Sequence, residues 1–166
     1  ICFVSDNNYK RFLKDYVPNK MDAIGKGKII NESGETIGEH EGYPNYTLGQ
    51  RKGLRISNPD PLYVTKIDPK TNEVIVGKKT TLLETTCKIS QVNWLVNEKD
   101  ICSKVQTQIR YNSPLVPAEI KKHGGNYEIN FLTPQMAITP GQSIVFYDED
   151  LVLGGGIIEK EITDEK

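Results

Sequence analysis

The segment Tyr46–Leu54 combines glycine with basic residues in a pattern that suits contact with an anion. It reads YTLGQRKGL, contains no acidic residue, and is followed directly by Arg55. Glycines on both sides of Gln50, Arg51 and Lys52 allow positive φ and a close approach to a ligand, and the two cations can bind phosphate or carboxylate groups. The alternative is a solvated loop with ordinary turn glycines, which is the usual outcome for such a pattern.

Cys2 is the residue best suited to covalent chemistry. It lies in the segment ICFV, just before a predicted helix, where backbone N–H groups can favour a thiolate. A thiolate can hold a sulfane sulfur as a persulfide and transfer it to an activated carbon. A lone cysteine is more often inert, and this is the alternative. We expect Cys87 to be a small buried apolar residue and Cys102 to lie in a loop, and we assign neither a role.

The three cysteines and two histidines argue against a disulfide scaffold and against a structural zinc site. The cysteines are irregularly spaced, and His40 and His123 stand alone. Free thiols are typical of a reducing cytoplasm. We therefore expect a cytoplasmic protein without a bound metal.

The composition is that of an ordinary globular protein rather than that of a strongly basic nucleic-acid-binding domain. The 166 residues are 37% hydrophobic and 26% charged, and the net charge is −1. Any contact with nucleic acid must therefore come from local basic clusters. No apolar run approaches the ~20 residues needed to cross a bilayer, so we predict no membrane partner. The chain starts at Ile1 without methionine or a leader, which we interpret as a fragment of a longer protein.

The spacing of apolar residues predicts one short N-terminal helix followed by strands. Apolar residues that share one helical face recur over residues 6–16, at Tyr9, Phe12, Leu13 and Tyr16. Pro18 is expected to end this helix. Beyond it, residues 28–30 with 36–37, and 62–67 with 73–76, are predicted to form two hairpins.

The second half of the chain predicts a small antiparallel β-barrel, so the fold class is mainly β. In residues 104–110, Val105, Thr107 and Ile109 alternate with polar residues. Further short strands are predicted at residues 118–120, 127–131 and 143–147 and near 156–158, which is a spacing typical of a barrel. We divide the chain into a helical remnant of an upstream domain (1–17), a small β-rich central domain (18–81) and a C-terminal β-barrel (82–166).

Arg110 and Tyr111 end the alternating strand, which places a guanidinium and an aromatic ring at the predicted barrel rim. Such a pair can bind a phosphate and stack on an exposed base. A surface arginine beside a core aromatic is the common alternative. The triplet Gly154–Gly156 resembles a phosphate-binding loop only superficially, because no Lys-Ser or Lys-Thr follows it. We predict a turn or bulge there.

Several segments together resemble the MnmA (TrmU) family of tRNA-uridine 2-sulfurtransferases. The segment Tyr46–Leu54 resembles the signature of that family, and further matches follow the family's order at Ile1–Val4 with Tyr9–Leu13, Ile37–Gly42, Ile109–Tyr111, Thr139–Tyr147 and Leu153–Ile158. Because these matches occur in the same order as in the family and at similar spacing, they are not explained by chance. The resemblance covers nearly the whole chain.

The resemblance implies particular site residues. It implies that Cys2 carries the persulfide and that Arg110, Tyr111 and Gln142 contact tRNA. Many members have another basic residue after the Arg-Tyr pair, whereas this chain has Asn112, so one phosphate contact is expected to be missing. The resemblance leaves two roles open for Gln50, Arg51 and Lys52, which are tRNA contact and contact with the catalytic domain.

The resemblance also implies what lies outside this chain. The family binds ATP in an N-terminal PP-loop domain, which also carries a second catalytic cysteine. Neither that motif nor a Walker loop occurs here, so we expect no cofactor in this chain. The implied partners are tRNA and a sulfur-relay protein or cysteine desulfurase, and the implied barrel is similar to domain 2 of elongation factor Tu. A stand-alone, non-catalytic RNA-binding or translation-factor-like module is the alternative.

Overall fold

The computed structural model describes residues 4, 6, 8–111, 113–124 and 126–159. Cys2 therefore lies outside the described residues. The chain divides into two compact units, Ile1–Thr81 and Leu82–Lys166. The three-part division of the sequence, with residues 1–17 as a separate remnant, stays a prediction.

The first unit contains two short helices and a four-stranded sheet. The elements are α1 (Tyr9–Tyr16), α2 (Pro18–Ile24), β1 (Gly27–Asn31), β2 (Thr36–His40), β3 (Tyr63–Asp68) and β4 (Glu73–Gly77). The strand order is β2-β1-β4-β3. Strands β1 and β4 are parallel, whereas the other two pairs are antiparallel hairpins. The core of this sheet is built on Ile29, Val64, Val74 and Val76, which are completely buried.

The predicted N-terminal helix is confirmed as α1, and the helix α2 was not predicted. The Asn8 side chain caps α1 by accepting a hydrogen bond from the Arg11 N–H at 3.1 Å. Helix α2 begins at Pro18, the residue that was expected only to end a helix. Proline is favoured in the first turn because its missing N–H is not needed there and its φ already suits a helix. One proline therefore ends α1 and starts α2.

The second unit is a closed six-stranded antiparallel barrel, which confirms the predicted fold class. Its strands are β5 (Leu83–Trp94), β6 (Lys104–Gln108), β7 (Val116–His123), β8 (Asn126–Met136), β9 (Ser143–Asp148) and β10 (Leu151–Ile158). They close in the order β10-β5-β8-β7-β6-β9. The predicted alternation holds, because Val105, Thr107 and Ile109 are buried. The long strand β5 was not predicted, and it contains a register shift between Glu84 and Thr86 and a positive φ at Gln91.

The barrel interior is filled by large apolar side chains around Phe146, which is completely buried. The only tryptophan of the chain, Trp94, packs on it with 5.3 Å between ring centroids. The indole N–H of Trp94 donates to the Tyr127 hydroxyl at 3.2 Å, and that hydroxyl donates to Glu98 at 2.6 Å. Because Trp94 lies in this core, its fluorescence reports unfolding of the barrel alone.

Strand β10 contains the three consecutive glycines, and their role is close packing in the closed sheet. Register shifts occur on both sides of them, between Val152 and Gly154 and between Gly155 and Ile157. A Cβ placed on Gly155 would lie 2.6 Å from the carbonyl oxygen of Ile144 in β9. This confirms the predicted bulge, and the glycines lie within a strand rather than before a helix.

We predict that Gly155→Ala destabilises the barrel, because the added methyl group meets backbone that cannot move without disturbing the β9–β10 pairing. The expected loss in the free energy of unfolding is about 1–3 kcal/mol. Urea unfolding followed by Trp94 fluorescence measures it. The control is Ser143→Ala, an exposed position on the neighbouring strand, which should change stability by less than about 0.5 kcal/mol. Equal unfolding midpoints for the two variants would contradict the steric argument.

Candidate nucleic-acid interface

A tight turn between β6 and β7 presents Tyr111 to solvent. The Ser113 N–H and hydroxyl both donate to the Arg110 carbonyl oxygen, at 3.0 and 2.9 Å. The Gln108 side-chain amide donates to the Ser113 carbonyl oxygen at 2.7 Å. Tyr111 follows Arg110 inside this braced turn, and it is 93% exposed. The ordered turn therefore presents an aromatic ring to water.

The guanidinium of Arg110 fastens this turn to the loop that connects β8 with β9. Its Nη2 donates to the carbonyl oxygen of Met136 at 2.9 Å and also to that of Ala137. The Thr139 hydroxyl donates to the same Ala137 oxygen at 2.9 Å. Further along, the Gln142 N–H donates to the Thr139 carbonyl oxygen at 3.2 Å. Both bonds of Arg110 use one nitrogen, so the described contacts leave Nε and Nη1 for a ligand.

The strand register brings Gln142 to the same end of the barrel as Arg110 and Tyr111. Strand β6 pairs with β9 so that Gln108 lies opposite Val145. Arg110 and Tyr111 follow Gln108, whereas Gln142 directly precedes β9. Because the strands are antiparallel, these residues leave the sheet at one end. We call Arg110, Tyr111 and Gln142 the barrel rim, and all three side chains are exposed.

Exposed apolar side chains lie at this end of the barrel, and their exposure was not predicted from the sequence. They are Leu83 at the start of β5, Leu115 before β7 and Leu132 toward the end of β8. Apolar residues on strands are most often core residues, so the sequence carries no signal that these three face outward. The rim therefore combines one cation with apolar surface, which suits an unstacked base better than a run of phosphates.

The basic segment of the first unit forms a braced loop, which we call the basic loop (residues 46–55). The Gly49 N–H donates to the Val64 carbonyl oxygen at 2.8 Å, and the Val64 N–H donates to the Gln50 carbonyl oxygen at 2.9 Å. The Gln50 side chain accepts from the Thr47 N–H at 3.1 Å and donates to the Lys52 carbonyl oxygen at 2.9 Å. Gln50 is thus engaged inside the loop. Its predicted role in tRNA or interdomain contact stays a prediction.

Arg51 and Lys52 are placed differently from Gln50. Both side chains are exposed. Neither takes part in an ion pair within the described part of the chain. The structure therefore separates the three predicted residues of this segment into one that shapes the loop and two that face solvent.

His40 and Asn72 support the base of the basic loop. His40 is only 3% exposed, and its Nδ1 accepts from the Gly42 N–H at 3.0 Å. Its ring lies 5.3 Å from that of Tyr46, where the loop begins. The Asn72 side chain donates to the carbonyl oxygens of Ile24 and Lys26, both at 2.9 Å. These bonds join the end of α2, the start of β1 and the β3–β4 turn below the loop.

Burial keeps the His40 imidazole neutral. Removal from water lowers its pKa below the ordinary 6.5, and a hydrogen bond to the Asn72 backbone and the charge of Glu41 only partly oppose this. Its Nε2 is buried and makes no well-formed hydrogen bond to a described residue, so the Asn72 backbone is only a weak partner. Protonation would therefore place a charge in a site that solvates it poorly.

We predict that the first unit loses stability as the pH falls below about 6.5. The reason is that His40 has a lower pKa in the folded state than in the unfolded state, so protonation favours unfolding. The stabilisation is complete above the unfolded pKa and is lost toward the lower folded pKa, at no more than about 1.4 kcal/mol per pH unit. Hydrogen exchange in β1 and β4, corrected for intrinsic rates, measures it at pH 7.5 and 5. His40→Asn should lose this component, whereas exposed His123→Asn should keep it. The same pH response in all three proteins would exclude His40 as its source.

The described cysteines do not form a reactive centre. Cys87 is buried, as predicted, and its burial, with a smaller effect of Glu84, raises the pKa of the thiol to about 12. Cys102 is exposed. Across residues 4–159, apart from the few undescribed positions, no group of three or more His, Cys, Asp or Glu side chains could hold a metal. No described helix is long and apolar enough to span a bilayer.

Comparison with protein families assigns both units. The family model described as the tRNA methyl transferase PRC-barrel domain matches residues 10–78. The model described as the aminomethyltransferase β-barrel domain matches residues 84–158. The two matches are consecutive and correspond to the two compact units.

Curated relatives align with almost the whole chain. A protein of Chlorobium phaeobacteroides named tRNA-specific 2-thiouridylase MnmA is 40% identical over 170 residues, which cover 99% of this chain and 46% of the relative. Proteins from Carboxydothermus hydrogenoformans and Caldanaerobacter subterraneus with that name, the latter numbered MnmA 1, are 42% and 46% identical, and each alignment covers 98% of this chain and 44% of the relative. The chain thus spans less than half the length of these relatives.

Proposed function

Because this chain belongs to the tRNA-specific 2-thiouridylase family, we propose that it is the tRNA-binding, C-terminal portion of an enzyme that makes 2-thiouridine at the wobble position of tRNA. The names of the relatives support tRNA as the substrate. We further propose that the parent protein acts in the cytoplasm and receives sulfur from a relay protein or a cysteine desulfurase. A stand-alone RNA-binding module is the rival, and a PP-loop motif with a second cysteine in the upstream reading frame would exclude it.

The exposure of Tyr111 is the observation that carries the tRNA-binding proposal. A tyrosine ring usually buries most of its apolar surface, yet this ring stands 93% exposed on a braced turn. Because hydrogen bonds already order the backbone of this turn, stacking of a base on the ring costs little backbone entropy. Stacking of one base on an aromatic side chain contributes about 1–3 kcal/mol to binding. The wobble base lies in a single-stranded loop, which is the kind of RNA that offers unstacked bases.

Arg110 would serve the same contact in two ways. Its Nη2 holds the β8–β9 connection, which carries Gln142, and its other nitrogens can donate to a phosphate. Arg110→Ala would remove both the hydrogen bonds to the β8–β9 connection and the positive charge. A loss of tRNA affinity in this variant would therefore not show whether Arg110 contacts the RNA or only holds the rim in place. Tyr111 makes no described hydrogen bond within the barrel and is the cleaner probe.

Cys2 is proposed as the persulfide carrier, and ATP binding is assigned to another part of the enzyme. The glycines Gly154–Gly156 lie within β10 and so do not form a loop that leads into a helix, which is the usual setting of a phosphate loop. Cys87 does not compete for the sulfur role, since a pKa of about 12 keeps its thiol protonated. The proposal therefore rests on the sequence setting of Cys2 and on the family.

We predict that Tyr111→Ala weakens binding of the substrate tRNA by about 1–3 kcal/mol, because the stacking platform is removed. Tyr111→Phe keeps the ring and should bind with nearly unchanged affinity. Leu151→Ala is the matched control, since Leu151 is an exposed apolar residue at the start of β10, where it pairs with Asp148 at the end of β9 that is remote from Gln142. Titration of labelled tRNA at fixed salt gives the dissociation constants. Unchanged binding by Tyr111→Ala would remove the barrel rim from the site.

We predict that Cys2→Ser abolishes sulfur transfer by the full-length parent, because a hydroxyl cannot carry a sulfane sulfur. Activation of the tRNA by ATP should survive. Transfer of labelled sulfur to tRNA measures the first step, and release of pyrophosphate measures the second. Cys102→Ser is the control, an exposed cysteine whose change should leave transfer intact. Substantial thiolation by the Cys2→Ser enzyme would contradict the persulfide assignment.

A further inference from the structure

The near-zero net charge of the chain conceals opposite charges on its two units. Ile1–Thr81 contains 13 lysines and arginines against 10 acidic residues, whereas Leu82–Lys166 contains 8 against 12. The first unit therefore carries +3 and the second unit carries −4, of which −2 belongs to residues 82–158 that contain the barrel strands. Most of the affinity of proteins for nucleic acid backbones comes from neutralising phosphates. Because its net charge is negative, the barrel is poorly suited to provide this electrostatic contribution to the affinity.

Basic side chains of the first unit converge around Tyr46. The Lys10 ammonium of α1 lies 5.8 Å from the centre of the Tyr46 ring. Burial raises the pKa of the Tyr46 hydroxyl; the charge of Arg55 lowers this pKa and the charge of Glu41 raises it, so both residues lie within electrostatic range of the ring. Arg51 and Lys52 belong to the same loop, and both side chains are exposed. We call Lys10, Arg51, Lys52 and Arg55 the basic strip.

The backbone under the basic strip is held in an unusual conformation. Gly49, Gly53 and Arg55 all have positive φ, at 79°, 81° and 56°. For a residue with a side chain this region costs about 1–2 kcal/mol, and it persists only where the surroundings impose it. Leu54, between Gly53 and Arg55, is buried in the core of the sheet. The core thus anchors the loop and forces Arg55 outward on a rigid base.

Arg51 and Arg55 border a cleft of about 240 Å³, and neither forms an ion pair among the described residues. Arg51, Arg55, Asn58 and Asp60 are among its lining residues. None of the loop cations takes part in the ion pairs of the described chain, which involve Arg11, Lys26 and Lys122. Asp60 is the one acidic residue that lines the cleft. A guanidinium can donate two hydrogen bonds to phosphate oxygens, so Arg51 and Arg55 give the cleft the chemistry to bind a phosphodiester.

We propose that the basic strip binds the sugar–phosphate backbone of the tRNA and supplies the electrostatic part of its affinity, while the barrel rim supplies stacking. This rests on the proposed function, since it takes tRNA as the ligand. It also chooses between the two roles left open for Arg51 and Lys52. The competing role, contact with the catalytic domain, predicts no effect on tRNA binding by this chain alone.

The test is the salt dependence of tRNA binding by the 166-residue chain. Affinity falls as salt rises, and the double variant Arg51→Gln with Arg55→Gln should make this salt dependence weaker. The magnitude of the slope of log affinity against log salt should decrease by roughly 0.7–0.9 for each phosphate that is no longer neutralised. Lys78→Gln with Lys79→Gln removes two exposed charges from the same unit and should leave the slope unchanged. Asp60→Asn removes the acid from the cleft and should tighten binding. Lys52→Gln, whose side chain makes no described bond, should lower the slope even if the double variant folds poorly.

The outcomes separate this proposal from the one on which it rests. If Tyr111→Ala weakens binding but the Arg51, Lys52 and Asp60 variants behave like the lysine control, the basic strip is not the phosphate site and the barrel rim stands. If the slope falls for the basic-strip variants and Asp60→Asn binds more tightly, the proposal is supported. If the intact chain does not bind tRNA, both are wrong.

Discussion

Closure of the six-stranded barrel is the constraint on which the candidate stacking site depends. In an antiparallel barrel each strand must pair on both sides, so β6 is fixed between β7 and β9. This pairing brings the β6–β7 turn and the approach to β9 to one end, although about 30 residues separate them in sequence. The glycines of β10 allow the closure, because larger residues would collide with backbone. The position of Tyr111 and Gln142 follows from this geometry.

Arg110 shows how structure and ligand binding can share one side chain. The carbonyl oxygens of Met136 and Ala137 lie at the end of β8, and the Ala137 oxygen also accepts from the Thr139 hydroxyl. A guanidinium satisfies both through one nitrogen and still has donors in a fixed plane. The rim is therefore organised before any RNA arrives, and a preorganised site loses less entropy on binding. The same reasoning applies to Gln50, which organises the basic loop from within.

The two units are suited to different parts of RNA recognition. The first unit has excess positive charge, a braced loop and cations without acidic partners, which favour contact with phosphates. The barrel has excess negative charge and exposed apolar side chains, which favour contact with bases. Backbone contacts would position the tRNA without reading its sequence, whereas base contacts can distinguish one loop from another.

The sequence by itself determined the features that depend on local spacing. The period of Tyr9, Phe12 and Tyr16 determined α1, the alternation of Val105, Thr107 and Ile109 determined β6, and the motif around the basic loop determined the family. The tertiary structure alone decided the rest, including α2, the outward faces of three leucines, the inward role of the Gln50 amide and the clip made by Arg110. The reason is physical. Periodicity records which side of an element is apolar, whereas exposure and hydrogen-bond partners depend on residues that are distant in sequence and meet only when the sheet closes.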